Sequence, residues 1–226
     1  MKITRATGVE GARAAAGFVI VVDVLRAFTV SAFALAGGAR ECLLVRSVEE
    51  ARRLAAAMPD AVVSAEVDTL PVDGVAISNS PTQITRHDLA ARALIQRTSA
   101  GTQAIAAVGE VEAIYAASLV VATATARACL SRGAARVTLV ASGDFPEDHA
   151  CCSYMEAVLS GTTADLEQLL EPLFVSERYR KFAEGDWPGF PSTDLELALH
   201  PDRFRFAMPA SRQEDHIRLV RAEIQD

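Results

Sequence analysis

The sequence predicts an α/β protein whose mostly parallel sheet is sandwiched between helices (α/β/α). About five apolar, β-branched runs are each followed by a segment with helical periodicity. The connections between these segments are short, which favours parallel strands joined by crossover helices. The runs are apolar at successive positions, as in strands that are buried on both faces. The same pattern is compatible with two similar α/β halves.

The first unit begins with FVIVVD, which predicts a strand over 18–23. A helix is predicted over 25–36. Gly37 and Gly38 follow it at the position where a left-handed cap commonly ends a helix. A short strand over 41–45 completes this unit.

A capping box predicts the start of the next helix. Ser47 and Glu50 have the spacing at which each side chain binds the other residue's backbone N–H. The helix is expected to run to Met58, where Pro59 stops it.

The middle of the chain continues the alternation. The run AVVSAE predicts a strand that ends at Glu66, and a polar, turn-rich stretch covers 67–80. Pro81 suits the first turn of a short helix behind Ser80. The elements predicted next are a strand near 92–97, a helix near 102–108, a strand near 112–121, a helix over Thr123–Arg132 and a strand over 136–142.

The C-terminal part is more charged. Asp144 and Glu147 are expected to cap a helix that carries Asp148 to Leu159. Beyond it the predicted elements are helices within 164–200 around a Pro/Gly loop at 185–191, a strand over 203–208 and an amphipathic helix over 211–224. Residues 1–226 are read as one α/β unit in which 162–226 form a mainly helical C-terminal part.

Composition excludes several classes of protein. The net charge of −7 opposes a nucleic-acid-binding surface. No apolar run reaches the roughly 18–20 residues of a membrane span, and the N-terminus lacks a signal-peptide pattern. The four cysteines have no metal-ligand spacing, so reduced thiols and a cytoplasmic location are expected. A homodimer is left open.

Polar residues that can carry chemistry follow the predicted strands. Asp23 and Arg26 follow the first strand, Glu66 ends another, and Asp148 follows the strand over 136–142. Open α/β sheets bind ligands at the carboxyl ends of their strands, so these carboxylates are expected to converge on one sheet edge. Carboxylate oxygens suit Mg²⁺. The turn at 98–102 is expected to offer backbone N–H groups to an anion.

Structural alternatives exist for these residues. Asp23 could cap its own helix, and Arg26 could be a surface residue or a partner of a structural carboxylate. Glu147 fits the capping box as well as it fits a catalytic role, whereas Asp148 is not needed for the cap. The turn at 98–102 could be only a strand-to-helix connection.

Familiar phosphate-handling motifs are absent from the sequence. There is no P-loop, no Cys-x5-Arg signature and no G-x-S-x-G elbow. Leu25 occupies the position of the second acid of a D-x-D phosphatase motif. The residues alone leave metal-assisted hydrolysis without a covalent motif, or no catalysis.

An ordered set of short motifs resembles the 2-phosphosulfolactate phosphatase family. VVDVLRAFTV followed by ALAGGA is similar to the family's opening strand and helix. Further similar stretches follow in the same order: NSP at 79–81, SAGT at 99–102, TATA at 123–126 and the segment from Gly143 to Asp148. The resemblance is clearest over 1–161.

The resemblance implies an α/β/α sandwich and hydrolysis of a phosphate monoester of a sulfonated three-carbon acid. The reaction would use Mg²⁺ and lie on the route to coenzyme M. Carried onto this chain, the metal ligands are expected to be Asp23, Glu66 and Asp148, and Arg26 is expected to meet the phosphate or sulfonate. Charge and position give the expected catalytic set Asp23, Arg26 and Glu147, the last as a base. The implied substrate-binding residues are Asn79, Ser80, Ser99, Gly101 and Thr102.

Two departures affect this expectation. Val67 and Gln103 stand where the family has arginines. A lost charge-assisted contact costs on the order of 1.5–3 kcal/mol, so weaker binding of the sulfonated substrate is predicted. The alternative function is a non-catalytic α/β protein that binds a small anion.

Overall fold

The computed structural model describes residues 1–224 and contains one eleven-stranded mixed sheet. The strands are β1 (Lys2–Thr7), β2 (Phe18–Val22), β3 (Glu41–Val45), β4 (Val62–Val67), β5 (Leu70–Pro71), β6 (Ala93–Arg97), β7 (Ala113–Ala117), β8 (Arg136–Ala141), β9 (Phe206–Arg212), β10 (Ile217–Leu219) and β11 (Ala222–Glu223). The helices are α1 (Gly8–Arg13), α2 (Ala27–Ala36), α3 (Val48–Ala57), α4 (Pro81–Ile84), α5 (Gly101–Ala107), α6 (Ala122–Ser131), α7 (Pro146–Ser160), α8 (Leu166–Phe174), α9 (Glu177–Glu184) and α10 (Thr193–Leu199).

The sheet contains two groups of parallel strands. The first group has the order β1-β8-β2-β7, and the second has the order β3-β6-β4. Every residue of β2 is buried, which requires cover on both faces of the sheet. The predicted α/β class with a mostly parallel sheet is confirmed.

Strands β9 and β10 connect the two groups. The pairings β7–β9, β9–β10 and β10–β3 are all antiparallel. Three reversals in a row make the two groups run in opposite directions. Strands β2 and β4, whose ends carry Asp23 and Glu66, therefore run in opposite directions within the sheet.

Helix α2 brings these two groups into contact. It follows β2, and its Ser31 hydroxyl donates a hydrogen bond to the Gln96 side chain in β6 at 2.6 Å. The Gln96 amide in turn donates to the Ala27 carbonyl at 2.8 Å. These buried bonds fix the start of α2 against the second group of strands, and the candidate site forms there.

Two predicted helix starts are confirmed. The Ser47 hydroxyl accepts the Glu50 N–H at 3.1 Å, and the Glu50 carboxylate accepts the Ser47 N–H at 3.2 Å, which is the capping box of α3. Ser80 caps α4 by accepting the Gln83 N–H at 3.1 Å.

Three local predictions are wrong. The strand near 112–121 ends at Ala117, and Leu119–Val121 form a 3-10 turn, because an apolar run does not distinguish a strand from a buried turn. Asp144 does not cap α7, which begins at Pro146 behind Phe145. Residues 211–224 form strands rather than a helix, and Ile217 and Leu219 show the alternating burial of a strand.

The C-terminal part is helical only as far as Leu199. The strand predicted over 203–208 is β9, which begins later and runs to Arg212. Strand β1 and helix α1 precede the first predicted unit. All four cysteines are free and buried. Among the described residues, no helix combines the length and the apolar character needed to cross a membrane.

The position of Ile217 allows a test of the connecting strands. It is buried between β9 and β3, so Ile217→Ala should lower the free energy of unfolding by about 2–4 kcal/mol. Urea unfolding measures this change. Glu214→Ala, at an exposed position three residues earlier, should change stability by less than about 0.5 kcal/mol. Equal small effects would contradict the placement of β10 within the sheet.

Candidate functional site

A cavity of about 80 Å³ lies where the ends of β2, β4 and β6 meet the C-terminal helices. Its lining consists of Asp23, Leu25, Arg26, Glu66, Thr69, Asn79, Thr98, Ser99, Ala100, Phe145, Arg178, Phe182 and Phe190. Two carboxylates and two guanidinium groups are thus gathered at one small cavity.

Asp23 follows the last residue of β2 and both caps a helix and lines the cavity. Its Oδ1 accepts the Ala27 N–H at 2.9 Å, which holds the start of α2. Burial raises the pKa of Asp23 to about 6, and the charges of Glu66 and Glu147 add to the effect, whereas the Ala27 N–H opposes it. The carboxylate therefore takes up a proton far more readily than an exposed aspartate.

Gly101 allows the close approach of the other Asp23 oxygen. A Cβ atom on Gly101 would lie 2.6 Å from Asp23 Oδ2 and 2.8 Å from the Ala27 Cβ. Any side chain at position 101 would therefore displace the carboxylate. Gly101 acts on the site by leaving room for Asp23.

Glu66 ties the end of β4 to the turn after β6. Its carboxylate accepts the Ser99 N–H at 2.6 Å, the Ser99 hydroxyl at 3.1 Å and the Thr69 N–H at 2.6 Å. The Ser99 backbone group is therefore committed to Glu66 and is not offered to an external anion.

In the rest of the turn after β6, some polar groups bind one another and others have no protein partner. The Thr102 N–H donates to the Thr98 hydroxyl at 3.1 Å, and the Thr102 hydroxyl donates to the Thr98 carbonyl at 2.7 Å. Within residues 1–224, no protein acceptor binds the N–H of Ala100 or Gly101. The backbone N–H groups of the turn that are left for an anion are consequently those of Ala100 and Gly101. Ser99 lines the cavity, and the substrate-binding roles of Ser99 and Thr102 stay predictions.

Asp148 lies in the first turn of α7 and joins β2 to β8. Its carboxylate accepts the Val24 N–H at 2.8 Å, the Ser142 hydroxyl at 2.8 Å and the Ser142 N–H at 3.2 Å. Burial raises the pKa of Asp148 well above its usual range, and the charges of Asp23 and Glu147 raise it further. Asp148 does not line the cavity, but it lies within the electrostatic field of Asp23.

Glu147, beside Asp148, is completely buried. Its Oε1 accepts a hydrogen bond from Arg178 Nε at 3.2 Å, while its Oε2 has no hydrogen-bond partner. Burial raises the pKa of Glu147, and the Arg178 charge opposes this shift. Glu147, like Asp148, does not line the cavity. A buried carboxylate oxygen without a partner is costly, so Oε2 is a candidate for contact with a ligand once the cavity opens.

Arg26 lines the cavity and is held by the C-terminal segment. Its Nη1 donates to Asp194 Oδ2 at 2.7 Å and to the Gly189 carbonyl at 2.8 Å, and its guanidinium stacks 3.9 Å from the centre of the Phe190 ring. Burial lowers the pKa of Arg26, and the Asp194 charge opposes the shift. Within the described chain, no protein acceptor binds its Nε or Nη2.

Asn79 and Ser80, the two polar residues of the NSP motif, have different roles. Asn79 lines the cavity, and its side-chain oxygen accepts the Gln96 amide at 3.0 Å. Ser80 lies outside the lining, and its hydroxyl donates to Asp194 Oδ1 at 2.7 Å. Ser80 therefore supports Arg26 indirectly, through the carboxylate that both contact.

Sequence reasoning missed Arg178, Asp194 and the aromatic side chains around them. The Arg178 guanidinium lies between the rings of Phe145 and Phe182, at 4.4 and 4.8 Å from their centres. Its Nη2 donates to the Leu25 carbonyl at 3.3 Å. The available sequence signal was the clustering of aromatic and charged residues within 174–194, part of the region expected to form helices around a Pro/Gly loop.

The positions of the two missing arginines lie outside the cavity lining. Val67 is exposed at the end of β4. The Gln103 amide donates to the Arg46 and Thr98 carbonyls at 3.1 and 3.2 Å. Their effect on substrate binding stays a prediction.

The carboxylates do not form a preassembled multidentate metal site. Within residues 1–224, no group of three or more His, Cys, Asp or Glu side chains is placed to hold a metal ion. The oxygens that remain free of protein donors are Asp23 Oδ2 and Glu147 Oε2. Mg²⁺ commonly uses one or two carboxylates together with water and phosphate oxygens, and this donor set fits that mode.

These features define an α/β protein with an acidic and arginine-lined cavity suited to a small phosphorylated ligand. A family model described as 2-phosphosulpholactate phosphatase matches residues 5–181. A probable 2-phosphosulfolactate phosphatase of Bacillus subtilis is 32% identical over 182 residues, which cover 78% of this chain and 79% of the relative. One from Symbiobacterium thermophilum is 30% identical over 169 residues, 72% of each chain.

The chain belongs to the 2-phosphosulfolactate phosphatase family. Family membership supports a phosphoric monoester hydrolase and does not favour the non-catalytic alternative. The match extends past the resemblance seen over 1–161 and includes Arg178. Phe182, Phe190 and Asp194, which close the cavity, lie beyond the matched residues.

The raised pKa of Asp23 predicts a pH-dependent gain in stability for Asp23→Asn. The folded state holds the Asp23 proton more tightly than the unfolded chain, so the contribution of Asp23 to stability falls as the pH rises from about 4 to about 6. At pH 7.5 the asparagine variant should be more stable by on the order of 1–3 kcal/mol. At pH 4.5 the gain should be clearly smaller.

Urea unfolding in the presence of a chelator measures both values. Asp144→Asn is the matched control, because that side chain is almost fully exposed. An equal effect of Asp23→Asn at both pH values would contradict a desolvated Asp23.

Proposed function

We propose that this protein is a Mg²⁺-dependent phosphatase that hydrolyses a small phosphate monoester, 2-phosphosulfolactate, to sulfolactate and phosphate. The observation that carries the proposal is the meeting of Asp23 with Arg26 and Arg178 at one cavity, beside backbone N–H groups that lack protein acceptors. The names of the relatives supply the substrate. The free, buried cysteines agree with a reducing compartment, and we place the reaction in the cytoplasm.

Asp23 is the principal ligand of the magnesium ion in this proposal. Its Oδ2 is free of protein donors, and Gly101 leaves space beside it. Glu66 and Asp148 already accept several hydrogen bonds, so they contribute through their remaining lone pairs or through water. Magnesium, when bound, supplies Lewis-acid stabilisation of the phosphoryl oxygens.

Arg26 and the turn after β6 bind the phosphoryl group. The free Nε and Nη2 groups of Arg26 and the N–H groups of Ala100 and Gly101 can donate to phosphate oxygens as negative charge develops. Because Asp194 and Gly189 hold the Arg26 guanidinium, its donors are already oriented before the substrate arrives. This preorganisation favours the transition state.

Glu147 is the base in this proposal. Its Oε2 can accept a proton from the attacking water, because no protein donor occupies that atom. Arg178 holds the other carboxylate oxygen and fixes the orientation of the group. Attack of the water on phosphorus breaks the ester P–O bond, and the proton that Glu147 has taken up can pass to the departing alkoxide. The alcohol and phosphate then leave without a covalent enzyme intermediate.

The part of the C-terminal segment that carries Phe182 and Phe190 has to move during the reaction cycle. The cavity of about 80 Å³ is smaller than the roughly 300 Å³ at the lower end of ligand sites. Phe182 and Phe190 belong to the C-terminal segment and form part of the wall. Substrate entry requires displacement of these aromatic side chains, and their return excludes water.

Steady-state kinetics on 2-phosphosulfolactate test the proposal. The wild type should release phosphate with Mg²⁺ and lose at least 100-fold in kcat/KM with chelator. Asp23→Asn and Glu147→Gln should each lower kcat by about 10²-fold or more, because each removes a charged group that acts on the reaction. Asp144→Asn should retain wild-type kinetics.

Two results would oppose the proposal. Phosphate release that is unaffected by chelator would remove the metal from it. Full activity of both site variants would place the reaction elsewhere in the molecule.

A further inference from the structure

We propose that Arg178 is the specificity-determining residue that selects substrates with a second anionic group beside the phosphate. This inference rests on the proposed phosphatase function and assigns a role to a side chain that the mechanism above uses only to orient Glu147. The ligand group it would take is a sulfonate or a carboxylate.

The two arginines of the cavity differ in depth. The Arg26 side chain is 2% exposed, and the Arg178 side chain is 20% exposed. Arg26 is held by Asp194, which is fully buried, next to the end of β2. Arg178 reaches the cavity from α9 and remains partly open to solvent. The phosphate therefore binds at the deep end, and the rest of the substrate extends toward Arg178.

The guanidinium plane of Arg178 is fixed on several sides. The rings of Phe145 and Phe182 stack on the guanidinium group. The Glu147 carboxylate accepts a hydrogen bond from Nε, and the Leu25 carbonyl accepts one from Nη2. Within residues 1–224, no protein acceptor binds Nη1. An oriented guanidinium with an unused donor can contact an oxyanion with little loss of side-chain entropy.

The charge balance at the cavity also favours this role. Arg26 and Arg178 are the cationic side chains of the lining, and each pairs with a fully buried carboxylate. Arg26 contacts Asp194 at 2.7 Å, whereas Arg178 contacts Glu147 through Nε at 3.2 Å and keeps Nη1 unused. A substrate with a phosphate and a second anion brings more negative charge to a cavity that contains Asp23 and Glu66. Arg178 is the lining cation nearest to solvent, so it is the one that can offset the second group.

The same geometry offers a reason why Val67 and Gln103 are tolerated. Both residues lie outside the lining, and the Gln103 amide is occupied by backbone carbonyls. A cation that lines the cavity can take over the role of the two family arginines.

The test compares 2-phosphosulfolactate with ethyl phosphate, a monoester that has no second anionic group. Arg178→Gln should lower kcat/KM for 2-phosphosulfolactate about 10- to 100-fold, mainly through KM, because a charge-assisted contact is lost. Ethyl phosphate should lose activity only through the freed Glu147 carboxylate, so its loss should be at least about 10-fold smaller than the loss on 2-phosphosulfolactate. Arg178→Lys should give an intermediate selective loss, since lysine keeps the charge and lacks the planar fork.

Arg180→Gln is the matched control on the same helix. Arg180 is exposed and pairs with Glu184 at 3.0 Å, so its substitution should leave both substrates unaffected. Equal losses of Arg178→Gln on both substrates would overturn the inference, because they would show that Arg178 acts on the phosphate or on Glu147. If that variant does not fold, the same comparison is made with Arg178→Lys.

A binding measurement separates this inference from the proposed activity. Calorimetry of sulfolactate, which lacks the phosphate, needs no turnover. Wild-type protein should bind it more tightly than Arg178→Lys does by at least about 5-fold, and Arg180→Gln should match the wild type. Unchanged binding in Arg178→Lys would overturn the inference even in an active phosphatase. Absence of all turnover with this difference intact would overturn the proposed function alone.

Discussion

Asp23, Glu66, Glu147 and Asp148 are all buried close to the ends of β2 and β4, where their charges repel one another. Burial and this mutual repulsion raise the pKa of Asp23, and the same two causes act on Asp148. The surrounding chain supplies donors that offset part of the cost. The start of α2, the segment after β2, the turn after β6 and the turn between β4 and β5 all contribute through backbone N–H groups. The local structure at these strand ends is thus organised around negative charge.

Two arginines complete this compensation and determine the path of the C-terminal segment. The pair Arg26–Asp194 joins residues that are 168 positions apart, and both side chains are buried. Removal of one partner from such a pair leaves an uncompensated charge that costs about 3–5 kcal/mol. Gly189 has a left-handed backbone, and a Cβ atom there would lie 2.5 Å from the Ser78 hydroxyl, so a glycine is needed for the segment to close over Arg26. The residues that close the cavity are therefore held by the groups they cover.

The sequence predicted the first part of this arrangement because each signal was local. Asp23 and Glu66 each followed or ended an apolar run. The capping box at Ser47 and the cap at Ser80 could be recognised from residues that are neighbours in the sequence. The C-terminal strands were missed because 211–224 has enough polar positions to suit either a helix or short strands. Glu147 illustrates a different failure. Its spacing from Asp144 matched a cap, yet the helix begins one residue later, at Pro146 behind Phe145, and Glu147 is buried.

The remaining features depend on contacts that no sequence spacing reveals. Arg178 and Asp194 reach Leu25 and Arg26 across 153 and 168 residues. The opposite directions of the two parallel groups follow from β9 and β10, which enter the sheet between them at the end of the chain. Asp23 and Glu66 line the same cavity although their strands run in opposite directions.

The central claim is that Asp23, Arg26 and the turn after β6 form one site for a metal ion and a phosphate. A crystal structure with Mn²⁺ and phosphate, with anomalous diffraction to locate the metal, tests it most directly. We expect the metal on Asp23 Oδ2, and we expect the phosphate within hydrogen-bond distance of Arg26 and the Gly101 N–H. Metal and phosphate bound together at another cavity, with the Asp23 carboxylate contacting neither, would contradict the claim.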